Sequence, residues 1–219
     1  MKRRVLDASF FRRDTVIIAK DLLGKFLVRC IRGEEVACMI TEVEVYDGFK
    51  DRASHASRGK TARNYLMFGA PGHWYVYFTY GVHWMLNIVT REKGYPAAVL
   101  IRGACPIRDR SLQATAAPGA RISNGINGPA RLTKALEIGR VMNGLSATKK
   151  SGLWIEDRGY KLQGDSLYAS IVRDQKEKKV YPPKFSYKKV GRVKRGPRVG
   201  VSYAGPYWAG RHLRFWIEH

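Results

Sequence analysis

"KFLVRCIRGEEVACMITEVEVYDG", residues 25–48, holds two β-rich runs on either side of a glycine, and its reading sets the fold of the remainder. "KFLVRCIR" and "VACMITEVEVY" are dense in residues that suit a pleated, half-buried surface. Gly33 between them supplies the turn, so the expectation is a hairpin. Period-two alternation in the second arm puts Ile40, Glu42, Glu44 and Tyr46 on one face and Thr41, Val43 and Val45 on the other. The valine face suits a core. The opposite face is unusual, because two carboxylates stand two residues apart in a chain with 40 Lys+Arg against 18 Asp+Glu.

Outward from this hairpin, strand signals dominate. "HWYVYFTYG" and "VHWMLNIV" read as two aromatic-rich strands separated at Gly81, and "AAVLIRG" is a continuous apolar run suited to a central strand. "LWIED", "VGVSY" and "HLRFWIEH" read as shorter strands. Helices are few. Asp14 before "TVIIAKDLLG" gives a cap, an apolar stripe and Gly24 as a stop. "NGPARLTKALEIG" has Pro129 in a first-turn position and Gly139 beyond the last periodic residue. No βαβ rhythm links these elements. The fold class expected is α+β: one domain over residues 1–219, a mainly antiparallel mixed sheet, surrounding helices and a protruding β-hairpin.

The chain of 219 residues is 45% hydrophobic and 26% charged, ordinary for a globular protein. Its net charge of +22 and pI of about 10.2 are not ordinary. Such a surplus attracts polyanions, nucleic acid first among them. No run approaches the ~18 consecutive apolar residues of a spanning helix, and the opening residues lack a signal-type apolar stretch, so an intracellular protein without a membrane role is expected. Cys30, Cys38 and Cys105 are odd in number without a CxxC spacing, which points to reduced thiols. Residues 173–198 carry eleven Lys or Arg against two acids and three prolines. They are expected to form an extended, solvated arm that either has no partner or tracks phosphates.

The face bearing Glu42 and Glu44 has company. Trp74, Tyr75, Tyr77 and Tyr80 supply aromatic surface, and the loop between carries His55, Arg58, Lys60, Arg63 and Asn64. Aromatic faces interleaved with cations suit unstacked bases and their phosphates, each stacked base contributing ~1–3 kcal/mol. A carboxylate there repels such a ligand, and is expected mainly where it performs a reaction. The helix opening at "NGPARLTKAL", with Arg131 and Lys134, adds a candidate phosphate site. These features leave two readings open: an enzyme acting on nucleic acid, and a non-enzymatic binding module whose glutamates are solvated. Anionic lipid has only the charge in its favour.

Several blocks then occur together and in order: "TEVEVYDG", "SHASRGKTARN", "MFGAPGHWYVYFTYGVHWMLNIV", "AAVLIRGA", "NGPARLTKAL" and "GVSYAG". From about Phe10 to Ile217 the chain resembles the 3-methyladenine (alkyladenine) DNA glycosylases of the type shared by vertebrates and bacteria. The resemblance implies an enzyme acting on double-stranded DNA that contains damaged purines, and a flat duplex-engaging face suits a monomer. It implies base flipping and hydrolysis of the N-glycosidic bond by activated water; since no Gly-rich nucleotide loop, His/Cys ligand set or flavin motif is present in the sequence, no cofactor or metal is expected. Laid onto these positions, the resemblance makes Glu44 the general base, with Glu42 in a supporting part. Tyr46, His55 and Tyr77 resemble the aromatic sandwich around the flipped base, while Asn87 and Leu100 resemble pocket residues. Tyr80 matches the side chain that fills the gap left in the duplex. Arg102 and Thr61 match phosphate contacts, with Arg63 among the DNA-binding cations.

Overall fold

A computed structural model of the chain describes residues 3–106, 125–163 and 188–218. The elements in chain order are β1 (Arg4–Val5), α1 (Ala8–Phe11), α2 (Thr15–Leu22), β2 (Phe26–Ile31), β3 (Glu34–Asp47), β4 (Trp74–Thr79), β5 (His83–Val89), β6 (Ala97–Pro106), β7 (Ile126–Asn127), α3 (Pro129–Ala135), β8 (Leu153–Asp157), β9 (Tyr160–Gln163), β10 (Lys188–Gly196), α4 (Pro206–Gly210) and β11 (Arg214–Glu218). All eleven strands join one sheet, antiparallel except where β9 meets β10. This is the α+β, mainly antiparallel architecture expected.

β3 is the hub. Its Cys38–Asp47 stretch pairs with β6, while the opposite edge is shared, Glu34–Met39 by β2 and Glu42–Glu44 by β11. A strand paired on both edges keeps all its backbone groups satisfied away from water, which lets its side chains be buried on both faces. On one face Val36, Cys38, Ile40, Val43 and Val45 enter the main core with Trp74, Val76, Leu86, Ile88, Val99 and Ile101. α2 closes this core with Ile18, Ala19 and Leu22, started by Asp14, whose carboxylate accepts the Val16 and Ile17 amides. α3 adds Leu132.

The core membership shifts from even to odd positions between Ile40 and Val43, and the register explains it. Ile40 faces Ala104 and Glu42 faces Gly103, so Thr41 is an extra residue; Val43 then faces Ile101, which skips Arg102. A bulge of this kind re-aims the residues beyond it. The expected four-residue face is therefore corrected: Ile40 belongs to the core, and Glu42, Glu44 and Tyr46 occupy the other side.

Two further expectations change. "VGVSY" is a turn followed by a 3₁₀ turn at Ser202–Ala204, not a strand. Gly200, at φ +74, bends the chain there. In the basic arm, residues 173–187 lie outside the described residues, but Lys188–Gly196 forms β10 inside the sheet and Arg198 is buried. The lysines and arginines in this run mask the alternation of a strand whose inward positions, such as Val193, still reach the core. The expected helix at "NGPARLTKALEIG" is α3, ending at Ala135, short of Gly139.

β4 and β5 form the protruding hairpin. Its tip is a turn in which the Val82 amide donates to the Thr79 carbonyl, with Tyr80 at φ +52 and Gly81 at φ +68. Two consecutive positive φ values match the turn whose twist suits a tight hairpin.

β10 and β11 pack closely at Gly191, where an added Cβ would meet the Glu218 carbonyl oxygen. Gly191→Ala is expected to destabilise the protein by roughly 1–3 kcal/mol, the usual cost of overpacking, in urea unfolding. An unchanged midpoint would show that this edge of the sheet is looser than described.

Candidate active site

The sheet register assembles the site. Directly opposed residues of neighbouring strands share a face. Tyr75 of β4 opposes Asn87 of β5, Asn87 opposes Leu100 of β6, Leu100 opposes Glu44 of β3, and Glu44 opposes Arg214 of β11. These five residues make one row across five strands, on the side away from the main core. In the adjacent row Tyr46 opposes Ala98, which opposes Val89. Tyr46 and Tyr77 both pack on a small cluster of Ala56, Met67, Tyr75, Val89 and Ala98. Four of the expected base-pocket residues, together with Glu44, therefore lie on one face because the strands pair in this register.

Glu44 is completely buried. Its Oε2 accepts the Tyr46 hydroxyl at 2.9 Å, and its Oε1 accepts the backbone N–H of Val199 at 2.8 Å. The Arg102 Nε stands 3.4 Å from the same Oε1 and donates to Glu42 Oε1 at 3.0 Å. Arg214 reaches Glu42 Oε1 at 3.4 Å. Burial pushes the Glu44 carboxyl above its ordinary value, while Arg102, the Val199 amide and the Tyr46 hydroxyl pull it back and Glu42 adds to the rise. Burial and the Glu44 charge push the Tyr46 phenol well up, so it remains a donor. The result is a strengthened base held by fixed donors.

His55 opens a 3₁₀ turn in which the Ser54 hydroxyl accepts the Ala56 amide. Asn64, wholly buried, ties the loop down: its amide donates to the carbonyls of His55 and Gly59, and its oxygen accepts the Thr61 N–H. The His55 Nδ1 lies 3.0 Å from the Tyr75 hydroxyl, and its ring meets Tyr77 edge-on at 4.6 Å. Burial, helped by the nearby Arg63 charge, lowers the imidazole to about 4. His55 is therefore neutral at pH 7. Asn87 is buried, with its amide donating to the Tyr75 carbonyl at 3.1 Å.

The remaining expected residues fall into separate places. Tyr80 projects from the hairpin tip, 85% exposed. Arg63 is exposed, donates to the Phe78 carbonyl at 3.1 Å and lies 5.4 Å from the Tyr77 ring centre, so it borders the hairpin. Thr61 is exposed at the loop edge. Arg102 sits between the two glutamates rather than on the surface. Arg131 and Lys134 are exposed on α3, which packs on the opposite side of the sheet from Glu44, and that helix opens with Pro129 and no side-chain cap. Sequence reasoning missed Val199, whose contribution is a backbone N–H, and Tyr203, which donates to the Ala53 carbonyl at 2.9 Å and whose phenol feels the charge of Glu44. It also missed the buried pair Arg198–Asp51. Among the described residues no three His, Cys, Asp or Glu side chains converge as a metal site, and no helix is long and apolar enough to cross a membrane.

A buried carboxylate hydrogen-bonded to a phenol, on the sheet of a strongly basic chain, is the arrangement the geometry presents. Comparison with known proteins gives the family. Residues 9–219 match the family model described as methylpurine-DNA glycosylase. Relatives named "Putative 3-methyladenine DNA glycosylase" include one from Methanocella arvoryzae, 47% identical over 70% of this chain and 77% of its own length. One from Streptomyces avermitilis is 39% identical over 99% and 89%, and one from Bacillus cereus is 36% identical over 90% and 87%. The chain belongs to the methylpurine-DNA glycosylase family.

The His55 environment makes a stability prediction. Its folded value, about 4, lies below its ordinary 6.5, so the fold favours the neutral ring and the unfolded chain takes up the proton first. That contribution to stability is lost as pH falls from 6.5 towards 4. His55→Gln should therefore show a smaller drop in thermal midpoint over this window than the wild type, measured by scanning calorimetry. Parallel pH profiles would contradict the buried neutral imidazole.

Proposed function

We propose that this chain removes alkylated, and also deaminated, purines from duplex DNA by flipping the nucleotide out and hydrolysing its N-glycosidic bond. The observation that carries this reading is the complete burial of Glu44 among donors, hydrogen-bonded to Tyr46 on the face of the sheet where Tyr77 meets His55. A solvated glutamate, as a mere binding module needs, does not fit that burial.

In this reading Glu44 is the general base. Water attacks C1′ of the sugar as the glycosidic electron pair departs with the purine, and the water's proton passes to Glu44. The sugar carbon already has oxocarbenium character, so one carboxylate suffices. Base catalysis of this kind is worth roughly 10²–10⁴-fold. Extruding a base costs a few kcal/mol, and stacking on Tyr46, His55 and Tyr77 offsets it. Tyr80 fills the vacated stack from the hairpin tip. Asn87 and Leu100 line the pocket. Thr61 and Arg63 serve the phosphates near the flipped nucleotide, Arg102 stays paired with Glu42 and Glu44, and Arg131 and Lys134 serve the duplex further away. The whole chain acts as one glycosylase domain, as a monomer, wherever the DNA is held.

Glu44→Gln is expected to bind a lesion duplex and fail to excise. It should also be no less heat-stable than the wild type at pH 7. A carboxyl raised in the fold binds its proton more tightly there than in the unfolded chain, so its contribution falls as pH rises through that window, and the ionised form opposes folding. Free-base release with thermal melting checks both; near-wild-type turnover would remove Glu44 from the base role. Binding should also weaken steeply with salt: engaging about 6 phosphates gives a log–log slope near −5. Tyr80→Ala should impair excision from duplex DNA, and equal activity would refute the gap-filling role.

A further inference from the structure

Arg198 has no part in the mechanism above, yet it is wholly buried and makes more directed contacts than any other arginine described near the site. Its guanidinium forks onto Asp51, Nη1 to Oδ2 at 2.5 Å and Nη2 to Oδ1 at 2.8 Å. Nη1 also donates to the Val45 carbonyl at 2.8 Å and Nη2 to that of Trp208 at 3.4 Å. Its planar centre lies 4.9 Å from the Tyr46 ring. Asp51 in turn accepts the amides of Ala53 and Asp47, so the pair joins the end of β3, the turn leading to His55, and α4. The next residue along the chain is Val199, whose N–H meets Glu44.

A buried ion pair is a poor way to gain stability, since desolvation consumes much of the attraction and an apolar replacement often does as well. What the fork supplies is fixed geometry, which a planar, five-donor group gives better than a lysine. We propose that Arg198 is a positioning residue: anchored on Asp51, it holds the Val199 N–H against Glu44 and fixes the Tyr46 ring beside it. This rests on the reading of Glu44 as the base. The other groups facing Glu44 are Arg102 from β6, Glu42 and Tyr46 from β3, Tyr77 from β4, Tyr203, and Arg214 of β11 through Glu42. Of these, Tyr46 is tied to Asp51 through Arg198, and Tyr203 is tied to the same turn through Ala53, whose amide Asp51 accepts. Loosening the fork therefore acts on Glu44 chiefly by withdrawing one N–H donor, which leaves the carboxyl harder to ionise.

The test is single-turnover excision from a hypoxanthine-containing duplex across pH, using Arg198→Lys and the isosteric Asp51→Asn, with Glu44→Gln alongside. Expected are a fall in the rate constant of up to about 10²-fold, lesion binding at the wild-type level, and an acid limb displaced to higher pH, with Arg198→Lys the milder variant. An acid limb that stays in place overturns the proposal. Unfolding of both variants does too, because it assigns the pair to stability alone. Excision by Glu44→Gln would instead sink the base assignment. If Glu44→Gln is inactive and the limb does not move, only the role of Arg198 fails.

Discussion

A carboxylate taken out of water must find donors in the protein, and the site is organised around that requirement. Glu44 meets it with a phenol from its own strand, a guanidinium from β6 and a backbone amide from the segment after β10. These come from three places in the chain, so the sheet must close before the carboxylate is satisfied. Burial works against ionisation and the donors work for it. The balance leaves a carboxyl more basic than one in solvent, which suits a proton acceptor.

The same arrangement reconciles acids with a chain of net charge +22. Arg102 lies against both glutamates and Arg214 against Glu42, so the pair of carboxylates is neutralised at close range. Arg58, Lys60 and Arg63 are exposed cations that carry no such burden. The sheet divides its labour by face. One side buries the aliphatic core with α2 and α3; the other carries Glu44, Tyr46, Tyr75, Asn87 and Leu100 in rows set by strand register.

Much of this was legible in the amino-acid sequence. β-rich and aromatic runs placed β2, β3, β4 and β5, and a continuous apolar run placed β6. Alternation failed at Ile40, because a one-residue bulge at Thr41 shifts the phase and no residue type announces it. It failed again at Lys188–Gly196, where cations dominate a strand that pairs on both edges. The Asp51–Arg198 pair spans 147 residues of sequence and sits, on one side, inside what reads as a solvated charge run. Val199 acts through its backbone, so its side chain carried no signal. Long-range pairing and backbone donors are tertiary facts, and single-chain patterns reach them only through the strands that bring them together.

The most direct test is to follow the ionisation of Glu44 itself, by the ¹³C chemical shift of its carboxyl carbon, alongside the pH dependence of single-turnover excision. The two midpoints should coincide and lie above 4.5, the ordinary value for the group. A carboxyl that titrates at or below 4.5, or a rate that follows a different group, would contradict a buried glutamate as the base.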